Sequence, residues 1–168
     1  MPNKQPVLIS EILESVVELY RHHTVARGRT IEASAAQAGE LETDPVLLRR
    51  VIGNLVKNAL EAIPEGATVT VEGELQDGQA VFRVRNPGVI PEAVQKQIFQ
   101  RSFSTKGTPG RGIGTHSVRL LTENCLGGKV WFDSRAPEGT VFTVVIPAGD
   151  GAASTAVSSL ATVQEVPA

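Results

Sequence analysis

The stretch Asp44 to Ile63, DPVLLRRVIGNLVKNALEAI, constrains this chain more than any other. Asp44 can cap a helix whose first residue, Pro45, needs no amide partner. Apolar residues at Val46, Leu47, Val51, Leu55, Ala59, Leu60 and Ile63 recur at helical spacing, which predicts a buried stripe and hence a core helix. Two asparagines, Asn54 and Asn58, lie one turn apart within it, although asparagine is a mediocre helix former. Two readings stand side by side. Neutral amide oxygens suit Mg²⁺, which keeps most of its waters and takes one or two protein oxygens plus phosphates; equally, two amides beside a core stripe can be a solvated face. Arg50 and Lys57 flank the pair, either to neutralise phosphate oxygens or as part of that solvated face.

Ile9 to His22 carries apolar residues at helical spacing, with Ser10 or Glu11 near its start, and predicts an amphipathic helix. Thr30 to Ala35 reads as a strand, and the small, polar run Ala36 to Thr43 as a loop. Thr68 to Leu75 and Gln79 to Arg85 alternate around Asp77-Gly78, the clearest hairpin in the chain. Pro91 opens a short helix through about Gln100, and a second helix spans Thr115 to Leu126, ended by Gly127-Gly128. A further hairpin runs from Lys129 to Ser134 and Thr140 to Ile146. These elements predict an α/β (α+β) two-layer sandwich, a mixed, mainly antiparallel sheet packed on helices. Residues 1–147 form one domain, and Ala148 to Ala168, almost devoid of large side chains, a disordered tail or linker.

A net charge of -2 provides no electrostatic footing for nucleic acid or an anionic membrane surface. Cys125 stands alone, which excludes a disulfide framework and a cysteine metal cluster and fits a reducing, cytoplasmic setting. No apolar run approaches a membrane span, and MPNKQPVL is not a signal peptide.

Four segments in order, NLVKNALEA (Asn54 to Ala62), QIFQRSFSTKG (Gln97 to Gly107), GRGIGTHSV (Gly110 to Val118) and PEGTVFTVVIP (Pro137 to Pro147), resemble the nucleotide-binding domain of sensor histidine kinases. That domain sits within the wider GHKL ATPase group of gyrases, MutL proteins and heat-shock chaperones. The resemblance runs from about Val7 to Pro147 and implies the Bergerat ATP-binding fold, with ATP and Mg²⁺ as ligands. On it, Asn58 is the Mg²⁺ ligand, with Asn54 and Lys57 beside it as catalytic residues. Gly110, Arg111, Gly112, Ile113, Gly114 and Thr115 cradle phosphate at a helix N-terminus. Phe99 and Lys106 belong to the lid, where Phe99 and Phe103 also read as plain core packing and Ser104, Thr105, Lys106 and Arg111 can close over phosphates.

One segment departs from the family pattern. Where histidine kinases commonly carry an aspartate in a DxGxG motif, accepting a hydrogen bond from the adenine amino group, this chain has VRNPGVIP, with Asn86, Gly88 and Ile90 in the corresponding site and no second glycine. An asparagine carbonyl can accept that bond, less strongly than a carboxylate by about 1 kcal/mol. Because asparagine also donates, selectivity for adenine would loosen. NPG is also a common turn. Thr140 matches the last glycine box, where a threonine hydroxyl supports the water network around adenine, although β-propensity alone explains a threonine there.

The resemblance implies transfer of the ATP γ-phosphate to a histidine. His22 and His23 close the first helix without HExxxP surroundings, and His116 lies in the glycine-box helix, so the acceptor is expected on a separate dimerisation domain, with a response regulator further downstream. Two alternatives remain: a degenerate nucleotide-binding or scaffold module, and a GHKL-type ATPase. The second is disfavoured because Asn54 occupies the place where such ATPases carry a glutamate base.

Overall fold

A computed structural model describes residues 2–37, 39–98 and 111–149, with side chains omitted at 36–37 and 111–114. Strand β1 (Gln5–Leu8) leads straight into helix α1 (Ile9–Arg21). No side chain caps α1; instead the Ile9 N–H donates to the Gly39 carbonyl at 3.0 Å. Ile9, Ile12, Leu13, Val16 and Val17 form its buried face. A 3₁₀ turn (Thr24–Ala26) connects to β2 (Thr30–Gln37).

The run expected as a loop from Ala36 to Thr43 instead holds the end of β2 and a strand of its own, β3 (Glu40–Thr43). Glu-Leu-Glu-Thr alternates exposed and buried, and β3 pairs antiparallel with β1, Gln5 opposite Thr43. Four residues are too few to reveal a strand whose partner lies so far back in the chain.

Helix α2 (Pro45–Glu61) follows with the expected cap: Asp44 Oδ1 accepts from the N–H groups of Val46 and Leu47 at 3.0 and 3.1 Å. Its stripe is rotated from the expected one. Leu48, Val51, Ile52, Leu55, Val56, Ala59 and Leu60 are buried, whereas Val46 is 62% exposed. Val46 lies about 120° round the helix from Ile52, the middle of the buried face, and so points away from the sheet.

Strands β4 (Thr68–Gln76) and β5 (Gln79–Asn86) form the expected hairpin, with Asp77 at φ 53° and Gly78 at φ 77°, a pair of left-handed residues that suits a two-residue turn. Helix α3 spans only Glu92–Gln95, shorter than the expected run to Gln100. It buries no side chain, so packing supports no further turn.

Helix α4 (Arg111–Leu120) begins four residues before the expected start at Thr115, so Gly112 and Gly114 sit inside its first turns. It passes into one π turn (Leu121–Cys125), closed by Leu126 N–H on the Leu121 carbonyl at 2.9 Å and ended by Gly127 at φ 72°. The last hairpin, β6 (Lys129–Arg135) and β7 (Gly139–Pro147), matches expectation.

The main sheet has the order β2-β4-β5-β7-β6, parallel between β2 and β4 and antiparallel elsewhere. Helices α1 and α2 pack on it through Val69, Val71, Phe82, Val84, Val144 and Ile146, and α4 joins the same core through Val118. This is the expected two-layer sandwich with a mixed, mainly antiparallel sheet. Ala148, assigned to the tail by composition, is fully buried, donates to the Gly78 carbonyl and accepts from Glu42 N–H, so the packed body includes it. Residues 150–168, the rest of the expected tail, lie outside the described residues. Among the described residues no helix is long and apolar enough to cross a membrane.

Candidate nucleotide-binding site

At 100° per residue, Leu47, Arg50, Asn54, Lys57, Asn58 and Glu61 fall within an arc of about 100° on α2, opposite its buried stripe. Asn54, Lys57, Asn58 and Glu61 are half-buried, and Arg50 is exposed. Among the described residues no hydrogen bond or ion pair engages the side chains of Asn54, Lys57 or Asn58. Neither amide is among the fully buried side-chain atoms left unpaired, so both stay open to water or to the water shell of a bound ion. Glu61, on the same arc, approaches α1: burial first and then its carboxylate push the Tyr20 phenol above its ordinary pKa. Tyr20 in turn packs over Gly53, where an added Cβ would lie 3.3 Å from the ring.

The C-terminal end of α2 abuts the loop that follows β5. A Cβ on Gly88 would lie 3.4 Å from the Ala62 carbonyl oxygen. Asn86, the last residue of β5, is 7% exposed, and its Oδ1 accepts from Gly88 N–H at 2.7 Å. The loop beyond it is held by a chain of bonds whose directions follow from donor counting. Ile90 N–H donates to Ser134 Oγ at 2.7 Å, and Thr140 Oγ1 donates its single proton to the Gly88 carbonyl at 2.7 Å. The 2.8 Å contact between the two hydroxyls is therefore donated by Ser134. Gln95 Nε2 closes the loop from the far side, donating to the Ile90 carbonyl at 2.9 Å.

The turn into β7 supports the same loop. Gly139 has φ 95°, and a Cβ there would collide with the Asn86 carbonyl oxygen, so only glycine lets the strands approach this closely. Thr140, 1% exposed, has its hydroxyl proton engaged on Gly88, so it shapes the loop that carries Asn86, Gly88 and Ile90.

On the third side, α4 packs against α2 with its N-terminal turn formed by Arg111, Gly112, Ile113 and Gly114, whose side chains are not described. Thr115 is buried and donates to the Ile98 carbonyl at 2.6 Å, tying α4 to the segment after α3. Unpaired N–H groups at a helix start attract anions. Phe99, Lys106 and Gly110 lie outside the described residues, as do Phe103, Ser104 and Thr105.

Two contributors escape sequence reasoning, Ser134 and Gln95. Neither belongs to a recognisable motif, and both act on residues distant in the chain or on backbone atoms. The histidines of the first helix engage locally: His22 Nε2 lies 3.1 Å from Glu18 Oε1, and His23 Nδ1 accepts from Val25 N–H at 3.1 Å. Among the described residues no group of three or more His, Cys, Asp or Glu could hold a metal. Asn54 and Asn58 offer neutral amide oxygens on this arc beside the Glu61 carboxylate, an all-oxygen set that fits a hard, largely hydrated Mg²⁺ brought with phosphates rather than a zinc ion.

The family described as histidine kinase-, DNA gyrase B-, and HSP90-like ATPase matches residues 43–150, well over half the chain. Sporulation kinase C of Bacillus subtilis is 32% identical over 143 residues, 83% of this chain and 33% of that protein. Adaptive-response sensory kinase SasA of Synechocystis is 30% identical over 151 residues, 85% of this chain and 39% of that protein. The chain thus spans little more than a third of these relatives. Among solved structures, the catalytic domain of histidine kinase ThkA superposes with a TM-score of 0.77 at 28% identity, covering 87% of this chain and 96% of that domain. ThkA in complex with the response regulator protein TrrA gives a TM-score of 0.74 at 26% identity, covering 88% of this chain and 42% of that one. With the sandwich, the amide-bearing helix and the glycine-started α4 in the family's order, the chain belongs to the histidine kinase-, DNA gyrase B-, and HSP90-like ATPase family, as an ATPase catalytic domain of the sensor histidine kinase type.

Proposed function

We propose that this chain holds Mg²⁺-ATP and presents its γ-phosphate to a histidine on a separate helical dimerisation domain of a cytoplasmic signalling kinase. The observation that carries this reading is the half-buried pair Asn54 and Asn58 on α2, facing away from the core and without a side-chain partner among the described residues. Asn58 would hold Mg²⁺ through its amide oxygen, with Asn54, one turn earlier, facing the same ion and its waters. When bound, Mg²⁺ neutralises charge on the phosphate oxygens. Lys57 places a cation beside those oxygens, and the N-terminal turn of α4, Gly110 to Thr115, donates backbone N–H groups to them. Lys106 and Arg111 close over the phosphates, and Phe99 anchors the hinge of the segment that carries Lys106. Asn86 contacts the base, on a loop that Ser134, Thr140 and Gln95 hold in place.

The domain's work in this reading is positioning and electrostatic stabilisation, because phosphoryl transfer asks for little covalent chemistry from the protein. The nucleophile is the imidazole of the partner domain. That ThkA assembles with a response regulator supports a regulator as the next recipient of the phosphoryl group here.

The test is calorimetric titration of the chain with a non-hydrolysable ATP analogue, with and without Mg²⁺, repeated on Asn58→Ala. Binding should require Mg²⁺ and weaken by about 10- to 100-fold in the variant, the worth of one charge-assisted contact. Melting temperature without nucleotide should be unchanged. A folded chain that takes up no nucleotide at millimolar concentration would instead be a scaffold module.

A further inference from the structure

The orientation of one carboxamide bears on which purine the site prefers. Gly88 N–H points at the Asn86 side chain from 2.7 Å, and a donor can be met there only by oxygen. Oδ1 is therefore fixed on the loop, and Nδ2 occupies the other branch of the carboxamide. Nδ2 has no hydrogen-bond partner among the described residues, yet it is not sealed from solvent, since the fully buried side-chain atom left unpaired among them is Thr122 Oγ1. The carboxamide cannot readily turn over. Asn86 is 7% exposed, and a flip would set an NH₂ group against the Gly88 N–H and leave both donors unpaired. The loop itself is braced by Ser134, Thr140 and Gln95, and Gly139 lies against the Asn86 backbone.

We infer that Asn86 presents a hydrogen-bond donor to the base edge, and that the site accepts 6-oxopurine nucleotides at least as well as adenine nucleotides. This rests on the reading that Asn86 contacts the base. Adenine carries an amino group at position 6, a donor that faces Nδ2 donor to donor. Guanine and hypoxanthine carry a carbonyl oxygen there, which can accept from Nδ2. A carboxylate at this position, with one oxygen on Gly88 N–H, would present an acceptor and select the opposite way.

The experiment measures dissociation constants of the chain for ADP, GDP and IDP in the presence of Mg²⁺, for the native sequence and for Asn86→Asp. IDP has the 6-oxo group of GDP without its 2-amino group, so it isolates the contact in question. IDP should bind the native chain at least as tightly as ADP. Asn86→Asp should swing the IDP-to-ADP ratio by about tenfold or more towards ADP, the scale of one exchanged hydrogen bond. A native chain that binds ADP more tightly than IDP would overturn the inference, because the second lone pair of Oδ1 or another group would then be reading adenine. A ratio unmoved by Asn86→Asp would also overturn it. In both cases nucleotide is still bound, so the proposed function survives. Absence of binding by all three nucleotides to a chain folded by circular dichroism would sink both. If Asn86→Asp does not fold, the native ratio alone decides, and Asn86→Ala, which removes the donor, should erase the advantage of IDP.

Discussion

The two ends of α2 treat their polar groups in opposite ways. At its N-terminus the Asp44 carboxylate is fully engaged: Oδ1 takes two helix N–H groups, and Oδ2 takes Asn3 N–H at 2.7 Å, pinning the N-terminal segment to the helix. Towards its C-terminus, the half-buried side chains of Asn54, Lys57 and Asn58 make no hydrogen bond or ion pair with a described residue, while next to that end the Asn86 loop is braced by Ser134, Thr140 and Gln95. Polar groups satisfied inside the chain hold the fold. Those oriented by a braced neighbourhood but left unsatisfied are available to a ligand. Stability and binding should accordingly separate along one helix.

The largest expected effect breaks the bracing. Gly139→Ala puts a methyl group into the Asn86 carbonyl at a φ of 95°. The left-handed backbone and the collision together should cost about 2 kcal/mol or more in urea unfolding, and nucleotide binding should weaken as the loop shifts. An unchanged midpoint would mean that the loop yields easily, and the contrast between the two ends would lose its rigid half.

Asp44→Ala acts at the other end and should lower stability by about 1 kcal/mol, the usual worth of a side-chain N-cap, with nucleotide affinity unaltered. Its pH dependence sharpens the point. Backbone N–H of Asn3, then those of Leu47 and Val46, hold the carboxyl below its ordinary pKa, against the opposing effect of burial. A depressed folded-state pKa gives stability that is fully present above the unfolded value of about 4 and is lost as pH falls through the folded value. The difference between native and variant stability should therefore be flat above about pH 5 and shrink as the medium becomes more acidic. A difference that persists unchanged to low pH would show that the charge contributes nothing.

The smallest effect is expected at Val46→Ala, in the same first turn but 62% exposed. Removing a solvated side chain should change stability by no more than about 0.5 kcal/mol. A loss comparable to that of Asp44→Ala would place Val46 in the core after all.

Much of the fold is legible in the sequence. The Asp44 cap, the helix it starts, the Asp77-Gly78 hairpin and the glycine end of α4 rest on interactions between residues a few positions apart, and such interactions leave a local pattern. The misread features lack one. β3 became a strand only because β1 lies beside it, and Val46 turned outward because the sheet selected Leu48 and Ile52 as the centre of the buried face. The α4 start moved to Arg111 although two glycines follow, since N–H groups in a first helical turn need no partner within the helix.

The site divides in the same way. Spacing marked Asn54, Asn58 and the glycine run as candidates, and the resemblance to the histidine kinase domain added Asn86, because short motifs record which chemistry is offered. The orientation of that chemistry was not encoded in any window of sequence. Whether Asn86 offers an acceptor or a donor depends on Gly88, and the pose of Gly88 depends on Thr140, 52 residues away, and on Ser134, which holds Ile90 from 44 residues away. A carboxamide has two ends of opposite hydrogen-bonding character. Only the packed strands β5, β6 and β7, by bringing those distant hydroxyls to one loop, settle which end faces out.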